Sequence, residues 1–329
     1  MSNRASTRQA AQPRSSGQQS KVVCILGMHR SGTSLVARLL NLRGLELGPA
    51  EGLLPAAQDN PSGFWEHKSF HEINDEILSR LGGRWDKPPQ FAPGWEKAST
   101  LGPLYQRARE IIEKHFSRLS CWGWKDPRNS LTIPFWRELL PDLTFVICVR
   151  HPLDVYKSLR RRDWFSRSRG TRLWTLYTLA ALRHTQNSPR IITHYESYFT
   201  GWETELSRVA GFLQLPNQAV QPTPQQIQSF IDPHLWHHRS SLEELQEARG
   251  VDPLCKALYQ ELQPTTPASG RSASATEERL STMIETQTRI LTINQVGAWR
   301  WLDRCREARL FLGKKIRPVY ARIRSIFSL

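Results

Sequence analysis

The sequence predicts an α/β domain, a parallel sheet flanked by helices, followed by a basic helical extension at the C-terminus. Three observations lead there. Four short runs, Lys21–Leu26, Ser120–Trp124, Thr144–Val149 and Arg190–His194, are nearly all apolar, as strands buried on both faces are. Helical patterns separate them, so strand and helix alternate along the chain. The last thirty residues, Arg300–Leu329, carry nine Lys or Arg against two acids, interspersed with Leu310, Phe311, Ile316, Val319, Ile323 and Phe327. That composition reads as a basic amphipathic segment.

In chain order, residues 1–20 are rich in Ser, Gln, Arg and Ala without apolar periodicity, and read as a disordered tail. Residues 21–262 hold the strands. Between them helices are expected over Leu35–Leu42, Pro103–Arg118, Thr132–Leu140, Leu153–Arg162 and Leu173–Gln186, with Trp202–Leu213 after the last strand. Residues 263–276 shift to Pro, Thr, Ser and Ala and read as a linker. Residues 277–329 form the extension, with a helix expected over Glu277–Asn294.

A length of 329 residues suits one α/β domain with appendages, and 39% hydrophobic residues supply a sizeable core. No apolar run approaches the length of a membrane span, and the first twenty residues lack the apolar stretch of a secretory leader. The expected location is the cytoplasm, with peripheral contact to the inner face of the membrane through the C-terminus. Five cysteines without a CxxC pair argue against a disulfide framework or a zinc site. The net charge of +15, mostly arginine, points toward anionic partners.

Chemistry first shows itself between the first strand and the first helix. Gly27-Met-His-Arg-Ser-Gly-Thr-Ser34 has P-loop spacing: Gly, four residues, Gly, and two more positions. Glycines let the chain curl so that amides point inward at a helix N-terminus, which favours a multiply charged anion. A nucleoside triphosphatase would carry Lys after the second glycine. Here Thr33 and Ser34 follow Gly32, and the charge comes earlier, from Arg30. The loop is P-loop-like but built for a phosphate that needs no metal.

The companion segment is Phe145-Val-Ile-Cys-Val-Arg-His-Pro-Leu-Asp-Val-Tyr-Lys-Ser158. Arg150 ends a strand, where open α/β sheets bind ligands, and Pro152 and Asp154 open a helix that carries Ser158. Arg and Ser could thus close on one phosphate. Taken singly, Ser158 is as well read as a helix surface residue. Together, in this order, the two segments resemble the 5′-phosphosulfate loop and the 3′-phosphate clamp of sulfotransferases that use 3′-phosphoadenosine 5′-phosphosulfate (PAPS), especially the bacterial-type carbohydrate and small-acceptor branch. The resemblance spans Lys21 to Gln263 and is weak between Lys87 and Leu119.

The resemblance implies PAPS as co-substrate, adenosine 3′,5′-bisphosphate (PAP) as product, and no metal. It assigns Arg30, Ser31, Gly32, Thr33 and Ser34 to the 5′ end, and Arg150 and Ser158 to the 3′ end. It puts Lys125, in Trp122-Gly-Trp-Lys-Asp-Pro-Arg128, beside the transferring sulfate, with Asp126 and Arg128 pinning the loop by an ion pair. Tyr195 touches adenine or packs in the core. The late loop Ile231–Arg239 folds over the cofactor and brings Arg239 to it. His237 and His238 lack partners at metal-ligand spacing.

Sulfuryl transfer needs in-line positioning, charge stabilisation by Arg30 and Lys125, and a base for the acceptor proton. Asn60-Pro-Ser-Gly-Phe-Trp-Glu-His67 resembles a Gly-x-x-Glu region of the family and offers Glu66 as base, with His67 second. For Glu66 the structural alternatives are helix capping or an ion pair with an arginine. Trp65, Trp85, Trp95, Trp122 and Trp124 are expected near the mouth, where indoles stack on sugar faces, so a glycan or glycolipid acceptor leads. Competing readings are a P-loop small-molecule kinase, which lacks its Lys, and a nucleic-acid binder, for which no motif exists. No specific nucleic acid is expected as a partner. Glu277–Asn294 could pair two copies into a homodimer.

Overall fold

The computed structural model describes residues 20–57, 60, 63–215, 223–228, 230–231, 239–263, 276 and 278–285. The chain divides into two compact units, Met1–Ser281 and Thr282–Leu329, and every site residue discussed lies in the first. The tail, most of the linker and nearly all of the C-terminal extension lie outside the described residues, as do His237 and His238.

Four parallel strands form one sheet in the order β2-β1-β3-β4. They are β1 (Lys21–Gly27), β2 (Cys121–Lys125), β3 (Leu143–Val149) and β4 (Arg190–His194). Around them lie α1 (Thr33–Leu42), α2 (Lys68–Arg80), α3 (Gly102–Phe116), α4 (Asn129–Arg137), α5 (Pro152–Asp163), α6 (Arg167–His184), α7 (Ser197–Thr200) and α8 (Trp202–Phe212). Short helices α9 (Pro224–Gln228), α10 (Leu242–Glu247) and α11 (Pro253–Glu261) follow. The predicted strands thus hold to within about a residue at each end, and the expected α/β class with a P-loop-like parallel sheet is the observed one.

Both faces of the sheet are covered, which is why its strands read as continuous apolar runs. Val23 and Ile25 pack on one side with Val36, Leu39 and Leu40 of α1 and with Leu206 and Val209 of α8. Cys24, pointing the other way, sits beside Asn129 of α4. Register places Ile25 opposite Lys125, Gly27 opposite Cys148 and Val149 opposite His194, so all four strands end along one edge.

Helices α2, α7, α9, α10 and α11 were not expected, and α2 is the one that bears on the site. In α2, Phe70, Ile73, Asn74, Ile77 and Leu78 are buried, a helical stripe interrupted by one polar residue. Asn74 is fully buried and makes four bonds. Its amide donates to Asp126 Oδ2 at 3.0 Å and Asn129 Oδ1 at 2.8 Å. Its carbonyl accepts from Thr132 Oγ1 at 2.7 Å and Trp136 Nε1 at 2.9 Å. An amide satisfied this fully locks α2 to α4 and to the turn after β2.

The tryptophan expectation is corrected here. Trp122 and Trp124 are 2% and 1% exposed, packed among Phe70, Phe116 and Trp136 rather than at a mouth. They flank Gly123, where a side chain would bring Cβ to 2.4 Å from the Val23 carbonyl oxygen. Both indoles therefore share the face opposite that contact. Trp95 is buried against Phe91.

Candidate active site

The strand ends converge on a cavity of about 800 Å³. Six basic side chains line it, Arg30, Arg38, Lys125, Arg150, Arg161 and Arg162, against one carboxylate, Glu66. Such an excess of positive charge in a partly enclosed site focuses the field on an anionic ligand.

The loop after β1 delivers its residues as the spacing predicted, with two refinements. Arg30 adopts φ +70°, and Gly32 caps α1 at φ +82°. A side chain at Gly32 would place Cβ 2.1 Å from Tyr195 Cδ2, so the glycine is needed both for its left-handed backbone and for the room. Arg30, Gly32, Thr33 and Ser34 line the cavity. Ser31 turns inward instead: it is fully buried, and its amide donates to the Met28 carbonyl at 3.1 Å.

The two motifs meet. Arg30 Nε donates to Ser158 Oγ at 2.9 Å, and Arg150 Nη1 donates to the Arg30 carbonyl at 3.1 Å. Arg150 lies over the Tyr195 ring at 4.2 Å, and its carbonyl accepts from Trp174 Nε1 at 2.9 Å. Ser158 is buried, not a helix surface residue. Arg150 is 7% exposed, and its Nε is sealed from solvent with no acceptor among the described residues. A buried guanidinium nitrogen without an acceptor fits an anion that brings its own oxygens.

The start of α5 is fastened to the segment after the late loop. His151 caps the helix through Nδ1, which accepts from the Leu153 amide at 3.2 Å, while Nε2 meets the Ser241 carbonyl at 3.0 Å. Burial lowers the His151 pKa, which suits this neutral, accepting role. Ser240 Oγ donates to Asp154 Oδ1 at 2.5 Å. Arg239 precedes this anchor, is exposed, and does not line the cavity.

At the β2 end, Lys125 is 1% exposed and donates to Glu66 Oε1 at 2.6 Å and Ser34 Oγ at 3.1 Å. The other Glu66 oxygen meets His71 Nδ1 at 3.0 Å. Burial pushes the Glu66 carboxyl up, but Lys125, His71 and Arg128 outweigh it and hold it at about 2. Glu66 is thus an ion-paired carboxylate, its partner a lysine rather than an arginine. His71 sits on α2, one of the helices the sequence did not predict. Its pKa is raised: burial opposes the charge, and Glu66 and Asp126 more than compensate.

His67 does not share this place. Its ring packs among Phe70, Phe116 and His115, it does not line the cavity, and burial lowers its pKa to about 4. The expected Asp126–Arg128 pair is present at 3.1 Å, and Asp75 holds Arg128 Nε at 2.5 Å. Glu66, His71 and Asp126 bring ligand atoms within 4.8 Å of one another, as a metal site would. Lys125 and Arg128 already engage those oxygens, so an ion would have to displace two buried cations.

Of the five tryptophans, Trp65 lines the cavity, and Trp85 touches its wall through His29, with ring centroids 4.4 Å apart. Unforeseen lining residues include Leu35, Arg38, Arg161, Arg162, Phe199 and Phe230. Arg38 lies 4.3 Å from the Trp65 ring and 4.8 Å from the Phe230 ring. Among the described residues no helix is long and apolar enough to cross a membrane.

Among solved structures, the sulfotransferase domain from the curacin biosynthetic pathway aligns at TM-score 0.40 and 15% identity, covering 82% of this chain and 98% of that one. The sulfotransferase domain of the Synechococcus PCC 7002 olefin synthase aligns at TM-score 0.37 and 17% identity, covering 85% and 98%. Sulfotransferase STF9 from Mycobacterium avium aligns at TM-score 0.37 and 13% identity, covering 68% and 69%. No curated protein sequence matches. The model of the Sulfotransferase family matches residues 23–219, the stretch that carries all four strands and both phosphate motifs, and the chain belongs to that family.

Proposed function

We propose that this sulfotransferase takes its sulfuryl group from PAPS and delivers it to a hydroxyl or amine, leaving PAP. The observation that carries the donor assignment is the join between the two motifs: Arg30 reaches Ser158 at 2.9 Å while Arg150 reaches the Arg30 carbonyl at 3.1 Å. Two such grips on one cavity suit a nucleotide that carries phosphate at both ends. Arg150 and Ser158 hold the 3′-phosphate, and the Arg150 Nε fits one of its oxygens. Arg30 and the first turn of α1, whose amides lack intrahelical acceptors, hold the 5′ end. Tyr195 and Phe199, beyond β4, face the adenine.

The donor supplies the sulfuryl group, and the protein supplies position and charge. Lys125 and Arg30 stabilise charge on the sulfuryl oxygens and on the departing phosphate. Glu66, which lines the cavity where His67 does not, takes the acceptor proton. Lys125, His71 and Arg128 hold that carboxyl below its ordinary range, so it is ionised and able to accept a proton. A glycan or glycolipid acceptor now rests on Trp65 and Trp85 alone. Cytoplasmic location, membrane contact through residues 299–329 and pairing through 277–294 rest on the sequence pattern.

Calorimetry tests the donor. PAP should bind and ATP should not compete. Arg150→Ala should weaken PAP by about 10- to 100-fold, the worth of a charge-assisted bond, and weaken 5′-AMP far less. Absence of heat with PAP, or equal losses for PAP and AMP, would refute the assignment.

A further inference from the structure

The turn between α5 and α6 breaks two local rules at once. Trp164 ends α5 with φ +59°, its amide donating to the Arg160 carbonyl at 3.0 Å. A left-handed helix end ordinarily falls to Gly or Asn, because a bulky side chain is strained there. The indole is 72% exposed and makes no ring or cation contact among the described residues. The fold thus bears the strain and gains no burial from the ring. Beyond it, α6 opens with Arg167 and Arg169 and no acidic residue in its first turn. The dipole at a helix start disfavours cations. Local rules broken together, with no gain inside the fold, point to a use outside it.

The turn is nonetheless firmly held. Phe165 is 3% exposed, stacks on Trp85 with ring centroids 5.9 Å apart, and lies 4.4 Å from the Arg169 guanidinium. Ser166 Oγ accepts from the Arg169 amide at 3.3 Å and caps α6. The indole is therefore presented to solvent from a fixed base.

Its surroundings are positively charged after ion pairs are removed. Of the five arginines between 160 and 169, Arg162 is paired with Asp163 at 2.8 Å and Arg169 with Asp86 at 3.1 Å. Arg160, Arg161 and Arg167 are exposed and have no ion pair among the described residues. Arg160 donates to the Tyr156 hydroxyl at 3.1 Å and Arg167 to the Arg249 carbonyl at 2.9 Å, and neutral acceptors cancel no charge. The segment that Arg167 reaches adds Glu247 and Arg249, one charge of each sign. Three uncancelled guanidiniums thus stand within four residues of an exposed indole.

We propose that this turn is a docking surface for a bilayer rich in anionic lipid, with Trp164 seated at headgroup level and Arg160, Arg161 and Arg167 on lipid phosphates. An indole has an apolar body and a polar edge, and a guanidinium pairs with phosphate, so both residue types suit that interface. Trp164 projects from the turn and does not line the cavity. A rigid protein or glycan would have to supply a pocket for the ring, whereas a bilayer yields to it. Arg161 and Arg162 at the same helix end do line the cavity, so a docked bilayer lies beside it and a lipid-borne acceptor comes within reach. This surface does not depend on the donor assignment.

Flotation of the full chain with vesicles tests it, using phosphatidylcholine alone and equal parts of phosphatidylcholine and phosphatidylglycerol. The chain should bind the mixed vesicles and not the neutral ones, and raised salt should weaken the binding. Trp164→Ser should lower the partition coefficient at least about fivefold. Trp164→Tyr, which keeps an interfacial ring, should stay within about twofold of wild type. Arg160→Gln/Arg167→Gln should lower it at least about tenfold. Far-UV circular dichroism should be that of wild type in all three. Residues 299–329 are present throughout, so a loss in these variants belongs to the turn. Wild type that ignores the mixed vesicles, or binding that either Trp164→Ser or the arginine variant leaves intact, overturns the surface. Heparin that binds with the same variant losses while vesicles do not bind marks a polyanion site and overturns it equally.

Discussion

The Lys125–Glu66 pair invites a quantitative test, because it is buried and because its two partners serve different parts of the proposed reaction. Lys125 is 1% and Glu66 5% exposed, with 2.6 Å between Nζ and Oε1. A Glu carboxyl held at about 2 instead of its ordinary 4.5 is more stable as the anion in the fold than in the unfolded chain. That difference amounts to about 3 kcal/mol. The sign follows from the depressed pKa. The contribution is complete above pH 4.5 and fades as pH falls through 4.5 toward 2. Lys125→Met leaves the carboxylate buried with His71 and Arg128 only, and should cost about 3–5 kcal/mol. Adding Glu66→Gln removes the stranded charge and should recover about 2 kcal/mol or more. Urea unfolding at neutral pH of wild type, both single variants and the double variant completes the cycle. Unfolding at falling pH adds a second arm, in which the gap between wild type and Glu66→Gln narrows below pH 4.5. Additive single-variant losses, or parallel pH curves, would refute the reasoning.

Two further outcomes follow from local geometry. Gly32→Ala puts Cβ at 2.1 Å from the Tyr195 ring and asks alanine to hold φ +82°, so the loop and the ring must part. PAP binding by calorimetry should fall at least about tenfold while far-UV circular dichroism stays that of wild type, and unchanged affinity would sink this account. Asn74→Ala strands the bonding groups of Asp126, Asn129, Thr132 and Trp136 in the interior. It should cost about 3 kcal/mol or more in guanidinium unfolding, whereas a loss below about 1 kcal/mol would show the network to be slack.

These residues also show what the sequence could and could not disclose. Each proposed phosphate grip is local: one lies within the eight residues from Gly27 to Ser34, the other within the nine from Arg150 to Ser158. A strand end followed by a helix start brings such groups together whatever the rest of the chain does, so the placement of both segments at the strand ends was legible. The Lys125–Glu66 pair joins positions 59 apart, and His71 completes it from a helix whose apolar stripe is broken by Asn74. Partners of that polar residue lie 52 to 62 positions downstream, and no local pattern announces them. Spacing was nonetheless present at Phe70, Ile73, Ile77 and Leu78, enough to have marked α2 had one buried amide been allowed within the stripe. The tryptophans failed for a different reason. Trp122 and Trp124 alternate around Gly123, which in a strand buried on both faces directs them together into a core. Counting indoles as surface was therefore at odds with the strand assignment made for the same residues. The two sequence motifs are local, whereas the Lys125–Glu66–His71 cluster is tertiary. For the same reason the motifs point readily to the family, while the acceptor depends on side chains that only the folded chain brings together.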